Sequence, residues 1–323
     1  MKALAIDTSN YMTSVALVSG EGKVLKDLRS PVPVAQGEKG LRQSEALFHH
    51  IRNLPPLLEE TLAEPLSDLE AVVVSSRPRP LPESYMPVFL AGVGQARSLA
   101  AALRVPCLER SHQEGHVYAA LASSSLLPVP ECFLTVHLSG GTSELLLVKR
   151  EETAASGLKI EMLGQATDLN AGQFVDRVGV ALGLPFPAGP ALEELAQGAR
   201  GVLRLSTRLI GLNPSFSGPT TQALRLIEEG CDPKEVALAV QNAISKVLEK
   251  WLLKAQKVTG VNQVLLSGGV TANRYIRRRL VDRLAKRGTG LRAYFGQAAY
   301  SGDNAVGLAV SYWFPNLPTI SAD

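Results

Sequence analysis

Stretches of strand-like and of helix-like apolar spacing take turns along the chain, which predicts mixed α/β structure. Lys2–Ile6 is apolar enough for a buried strand, Thr13–Val18 gives a second and Val24–Leu28 a third. Polar Asp7-Thr8-Ser9-Asn10 and the turn Gly20-Glu21-Gly22 separate them. Residues 36–44 read as a polar loop. A helix is expected from Ser44, carrying Leu47, Phe48, Ile51 and Leu54, and Pro55-Pro56 predicts that it ends there or that a second helix begins. Ala71–Ser75 has the β-branched character of a strand buried on both faces, and Ser76 to Pro82 reads as an irregular loop. A long helix to about Leu103, a short strand Val105–Leu108 and a helix capped by Ser111 follow.

Val129-Pro130 reads as a boundary between a lobe of residues 1–129 and a lobe of residues 130–323, the last helix being free to pack back on the first lobe. Beyond it, Cys132–Leu138 is a strand, Ser139-Gly140-Gly141-Thr142-Ser143 a turn and Glu144–Val148 a strand. This repeats the opening of the chain. Two such units predict an internally duplicated α/β fold with a nucleotide in its cleft. Asn170–Leu182 follows as a helix with Asp176 off its most apolar stripe. The turn-rich segment 183–190 leads to a helix near Ala191 with Glu193 in its first turn, and Ser215 to Gly218 opens another. Asp232-Pro233-Lys234-Glu235 is a strong helix start, with Val236, Val240, Ile244, Val247 and Trp251 as a core stripe. Gln263–Leu266 is a buried strand, a helix containing Asn273 comes next, Leu291–Phe295 is a strand, and Tyr300 to Ala305 opens the last helix.

The 323 residues, 46% hydrophobic and 20% charged, suffice for two packed domains or one large one. No apolar run approaches the roughly 20 residues of a bilayer span, so no membrane association is expected. The opening residues read as an immediate strand, with no signal peptide. Cys107, Cys132 and Cys231 are odd in number and widely spaced, which points to a reducing cytoplasm and no disulfide framework. A formal net charge of +3 permits nucleic-acid binding without arguing for it.

Candidate chemistry sits at three places. His112 and His116 lie at i and i+4, so a helix projects both imidazoles from one face, where they can bind one Zn or Fe ion; the alternative is a partly buried helix with incidental histidines. Asp303, near the start of the last helix, is the candidate third ligand, with simple capping as the alternative. The glycines of Ser139–Ser143, with the hydroxyls of Thr142 or Ser143, suit a phosphate, and Gly268 and Gly269 between a strand and a helix suit a nucleotide. The last basic helix, with Arg274, Arg277, Arg278, Arg279, Arg283, Lys286 and Arg287, suggests an RNA backbone contact or a solvated face.

His-Gln-Glu-Gly-His at 112–116, Ser-Gly-Gly at 139–141, Gly172 with Phe174 to Asp176 and Gly-Leu-Pro-Phe-Pro-Ala-Gly-Pro at 183–190 occur in that order. Ser-Phe-Ser-Gly at 215–218, Ser-Gly-Gly-Val-Thr-Ala-Asn-Arg at 267–274 and Asp303-Asn304 complete the series. In this the chain resembles, over nearly its whole length, the catalytic subunit family of the tRNA threonylcarbamoyladenosine transferase, also labelled glycoprotease or O-sialoglycoprotein endopeptidase. The resemblance implies a duplicated actin/sugar-kinase-like fold, two α/β lobes with a nucleotide cleft. It implies a divalent transition metal, Fe or Zn, on His112, His116 and Asp303. It implies an adenine nucleotide, threonylcarbamoyl-AMP or ATP, on Ser139, Gly140, Gly141, Thr142, Ser143, Asp176, Gly189, Glu193 and Asn273, to which the glycine turn adds Gly268 and Gly269. No catalytic residue is singled out. The implied reaction is transfer of a threonylcarbamoyl group to the exocyclic amine of an adenosine beside the tRNA anticodon. The implied partners are tRNA, a smaller paralogous subunit of the same fold and an ATPase subunit.

The chain departs from the family pattern in the first lobe. Thr8-Ser9-Asn10-Tyr11-Met12-Thr13 stands for Thr-Ser-Cys-Asp-Glu-Thr, so two carboxylates are missing. Arg77-Pro78-Arg79-Pro80 stands for a Gly-Pro-Gly loop, the segment Gly40 to Ser44 differs, and Thr142 stands for histidine. These changes define the alternative, a catalytically weak or inactive nucleotide- and metal-binding paralogue acting through protein partners. A kinase-like phosphotransferase lacks its carboxylate beside the first turn. A zinc peptidase needs its glutamate second in the histidine motif, whereas Glu114 is third.

Overall fold

The computed structural model describes residues 1–9, 11–33, 41–63, 68–81 and 83–320. Asn10, Pro82 and most of the expected polar loop before α1 lie outside the described residues. The chain forms two compact units. The first takes residues up to Pro130, the segment Arg150–Lys159 and the residues from Ala299 onward.

In the first unit, β1 (Lys2–Asp7), β2 (Met12–Ser19), β3 (Val24–Pro31), β4 (Leu69–Arg77) and β5 (Cys107–Ser111) form a sheet in the order β3-β2-β1-β4-β5. The first three strands are antiparallel, whereas β4 and β5 run parallel to β1. The helices are α1 (Gln43–Thr61), α2 (Leu90–Leu103), α3 (His112–Ala122) and, from the end of the chain, a short helix over Val306–Val310. Side chains alternate along β1. Leu4 and Ile6 join Leu54, Leu58 and Ala96 in one core, while the intervening Ala3 and Ala5, equally buried, turn to the other face.

The second unit repeats this plan. Its sheet holds β6 (Cys132–Leu138), β7 (Ser143–Arg150), β8 (Leu158–Gln165), β11 (Gln263–Ser267) and β12 (Arg292–Phe295) in the order β8-β7-β6-β11-β12. The β6–β7 pair is antiparallel, and β11 and β12 are parallel to β6. Between β8 and β11 come α4 (Ala171–Ala181), α5 (Gly189–Leu195), the small hairpin β9 (Arg208–Ile210) and β10 (Asn213–Ser215), α6 (Ser217–Glu228) and α7 (Pro233–Thr259); α8 (Arg274–Arg287) precedes β12, and the Val306–Val310 helix is α9. Val236, Val240, Ile244, Val247 and Trp251 of α7 are all buried. Strand order matches between the two sheets, and β6, β7, β11 and β12 match β1, β2, β4 and β5 in direction, the internal duplication read from the two strand–turn–strand openings.

Three expectations change. The prolines do not break α1, which runs through Pro55 and Pro56. They free the carbonyls of residues 51 and 52, both exposed to water, while Leu54 and Leu58 anchor the opposite face. The segment after Ser75 is not wholly irregular, because β4 continues to Arg77 and pairs with Ser111. Asn273 is not inside a helix but is the N-cap of α8, its side chain accepting from Ile276 N at 2.9 Å.

Candidate metal centre and nucleotide turns

Ser111 ends β5 and starts α3. Its hydroxyl accepts from Glu114 N at 3.2 Å, and the Glu114 carboxylate accepts from Ser111 N. This capping box occupies Glu114, so its carboxylate serves the helix start rather than acting as a base. Gln113 N donates to Pro78 O at 3.0 Å, so the Arg77–Pro80 segment also holds the first turn of α3.

The turn geometry then brings three donors together. His112 Nε2 and His116 Nε2 are 3.0 Å apart, and Asp303 Oδ1 lies 3.5 Å from the first and 3.4 Å from the second. Asp303 arrives through close packing of α9 on α3. A Cβ on Gly307 would lie 1.9 Å from Gly115 O, and one on Gly115 would lie 3.2 Å from Leu308. Gly307 is thus required by this contact, and Gly115, unfavourable for helix formation alone, lets Leu308 pack closely on α3. Asp303 does not cap α9, because Asn304 Oδ1 accepts from Val306 N and Gly307 N instead.

Behind His112 stands Asp7, fully buried at the end of β1. His112 Nδ1 donates to Asp7 Oδ1 at 3.2 Å, and Ser9 Oγ donates to Asp7 Oδ2 at 2.7 Å. Burial pushes the Asp7 carboxyl up, but the charge and hydrogen bond of His112 outweigh it and hold it below its usual value. Burial pulls His112 down, but Asp7 and Asp303 lift it well above the usual imidazole value. Asp303, which burial would raise, is held well below the carboxylate range by the two imidazoles.

The donor set fits a transition metal. With metal–ligand bonds of 2.0–2.1 Å, donor–donor edges of about 3.3 Å are expected for a tetrahedral ion and about 3.0 Å for an octahedral one. The three observed edges run from the octahedral value to slightly above the tetrahedral one. With Nδ1 of His112 held toward Asp7, the proton that a metal would displace is the one on Nε2, whose lone pair would then ligate.

In the second unit, β6 and β11 run parallel and end side by side, with Ser267 paired to His137. Both glycine turns therefore leave neighbouring strand ends, where parallel sheets bind ligands. Within the first turn, Ser139 N donates to Thr142 O at 2.7 Å and Thr142 N to Ser139 Oγ at 3.0 Å. The start of α4 clamps it: Gly172 N donates to Ser139 O, Asn170 Nδ2 to Gly141 O and Ala171 N to Ser143 Oγ. Ser143 is buried and spent on this clamp, whereas Gly140 and Gly141 are exposed. In the second turn, Gly268 has φ 94° and a Cβ there would lie 2.2 Å from Leu138 O, so only glycine fits. Ala188 N donates to Asp176 Oδ1 at 2.8 Å, which ties Asp176 to the segment ahead of Gly189. Glu193 accepts from Arg274 N at 2.8 Å, beside Asn273.

A sequence model of the family described as "TsaD: tRNA N6-adenosine threonylcarbamoyltransferase" matches residues 32–310. The chain belongs to this family. It is 34% identical over 320 residues to a relative of that name from Thermus thermophilus, covering 97% of this chain and 92% of the relative. A second relative of that name, from Thermosipho melanesiensis, is 32% identical over 320 residues, covering 96% of this chain and 94% of the relative. Two solved structures share the fold. HypF from T. kodakarensis has a TM-score of 0.61 at 15% identity, covering 98% of this chain and 47% of that one. The ROK hexokinase from Thermus thermophilus has a TM-score of 0.51 at 18% identity, covering 96% of this chain and 97% of that one. The fold is the two-lobed actin/sugar-kinase-like one.

For this member of the threonylcarbamoyltransferase family, His112, His116 and Asp303 converge in the first unit. Ser139–Ser143 and Gly268–Asn273 stand on adjacent strand ends in the second. Sequence reading does not single out Asp7, which there is only part of a polar break, although a carboxylate ending a buried strand is a signal. Tyr11 is half exposed. Thr8 is committed to structure: its hydroxyl donates to Val88 O and accepts from Gly92 N.

Proposed function

We propose that this chain transfers a threonylcarbamoyl group from threonylcarbamoyl-AMP to the exocyclic amine of an anticodon-adjacent adenosine in tRNA. The observation that carries the reading is the convergence of His112, His116 and Asp303 in a chain of this family. In this reading the three side chains hold one divalent ion, and two imidazoles with a carboxylate suit Fe and Zn alike. When bound, such an ion supplies Lewis-acid polarisation and a template for a mixed anhydride.

The chain's own residues do the rest. Asp7 fixes the His112 ring. The turn at the exposed residues Gly140 and Gly141 receives the adenylate phosphate. Thr142, Gly268 and Gly269 flank that phosphate, and Asp176, Gly189, Glu193 and Asn273 hold the nucleoside part. The amine nitrogen attacks the carbamoyl carbon and the carbon–oxygen bond to phosphate breaks. AMP leaves with the electron pair, and the nitrogen loses one proton. Orientation of amine and anhydride is the main catalytic contribution of such a site. The family resemblance also supports a smaller paralogous subunit and an ATPase subunit as partners, with the cytoplasm as the location.

The test is complementation of a strain lacking its own transferase, followed by mass spectrometry of tRNA nucleosides. Restored threonylcarbamoyladenosine is expected. Its absence, with the chain expressed, folded and supplied with its partners, counts against the reading.

A further inference from the structure

Helix α8 carries more positive charge than its packing uses. Arg277 donates to Thr271 O and Gly296 O and lies over the Phe295 ring. Arg283 and Arg287 both reach Glu249, which is buried. Arg279 has no such partner: its Nε is buried without a hydrogen bond among the described residues. It lines a cavity of about 430 Å³ between α8, α7 and the segment 199–205. Arg200, Arg204 and Lys246 line the same cavity, and among the described residues no carboxylate does. The nearby Glu235 accepts from the amides of Arg200, Gly201 and Val202, so it shapes the segment and partly offsets Arg200. Tyr275 donates its hydroxyl to Asn242 Oδ1 at 2.7 Å on the cavity wall.

Four cations around one cavity repel one another, and a buried guanidinium nitrogen without an acceptor is costly. That repulsion is relieved by an anion with several acceptor oxygens, and guanidinium groups match phosphate best. Arg200, Arg204 and Lys246 are exposed, so the cavity is entered from solvent. Exposed Arg274 and Arg278 carry the charge further along α8, beyond what one small anion would engage.

We infer that this pocket binds backbone phosphate of RNA, with Arg200, Arg204, Lys246 and Arg279 as its donors. It is separate from the residues assigned above to the adenylate. The choice of RNA rests on the tRNA-transferase reading.

The test is binding of unmodified tRNA, followed by fluorescence anisotropy across a salt series without adenylate. Arg204→Glu with Lys246→Glu should weaken binding at least about tenfold at moderate salt. The slope of log K against log salt should shrink by roughly one to two, as expected for two lost phosphate contacts. Arg279→Ala should weaken it less. Unchanged affinity and slope in the double variant, or no tRNA binding by the unsubstituted chain, overturns the inference. Pyrophosphate binding that the double variant abolishes while tRNA affinity holds also overturns it, in favour of a free anion. A chain that binds tRNA through these residues yet transfers nothing supports the pocket and overturns the transferase reading.

Discussion

Asp7 Oδ1 accepts from His112 Nδ1 at 3.2 Å, so a buried carboxylate on the first strand orients a histidine more than a hundred residues away. The relationship sets the tautomer that leaves His112 Nε2 free to ligate. Removing such a partner lowers metal affinity by about 10–100-fold in comparable sites. Asp7→Ala should show that loss in a chelator-competition titration. Asp7→Asn should recover part of it, since an amide oxygen still accepts from Nδ1. Equal affinity in all three proteins would leave Asp7 with a packing role only.

His116→Ala removes one of three donors and should strip the ion. Elemental analysis of protein purified without chelator is expected to give one transition metal per unsubstituted chain and far less in the variant. Undiminished metal in the variant would mean that the ion is held elsewhere.

Gly172 is where α4 presses on the first glycine turn. A Cβ there would lie 2.5 Å from Gly140 N and 2.6 Å from Ser139 C, both backbone. Gly172→Ala should displace the turn and weaken AMP or ATP binding at least about tenfold by calorimetry, taking one to two lost hydrogen bonds as the measure. Gly218→Ala, where the added carbon meets nothing, should leave it unchanged. Equal nucleotide affinity in both variants would move the nucleotide away from Ser139–Ser143.

His50 offers a pH test away from the metal. It is fully buried, and desolvation lowers it to about 4, against the opposing pull of Asp7. Thr13 Oγ1 lies 2.8 Å from its Nδ1 and also accepts from Asn53, so that hydroxyl donates to a neutral ring. Because the folded value lies below the unfolded one, the unfolded chain binds more protons between them. The stability is whole above about pH 6.5 and is lost as pH falls toward 4. Urea unfolding of the unsubstituted chain and His50→Gln should differ by about 2 kcal/mol less at pH 5 than at pH 7. A pH-independent difference would mean that His50 is not held neutral.

The spacing of His112 and His116 and the carboxylate at 303 were legible because helix period and terminal position act locally. The two strand–turn–strand openings made the duplication legible for the same reason. Asp7 was not legible, because its partner depends on β1, β4 and β5 being neighbours in one sheet. Gly115 reads as a weakness of α3 in sequence, and only α9 explains it. The proline pair in α1 misleads because its effect depends on which face meets water. Within α8, Arg277, Arg283 and Arg287 cannot be told from Arg279 until Glu249 and the segment 199–205 take their positions.

In the proposed function the metal site and the glycine turns serve one reaction, the transfer itself. It is measured most directly in a single-turnover reaction of the metal-loaded chain, with its partner subunits, using threonylcarbamoyl-AMP and unmodified tRNA, read by mass spectrometry of the nucleosides. Threonylcarbamoyladenosine is expected at the anticodon-adjacent adenosine, with Asp303→Ala lowering the rate at least about a hundredfold. No modified nucleoside from the unsubstituted chain, or an undiminished rate in Asp303→Ala, would contradict the transferase reading.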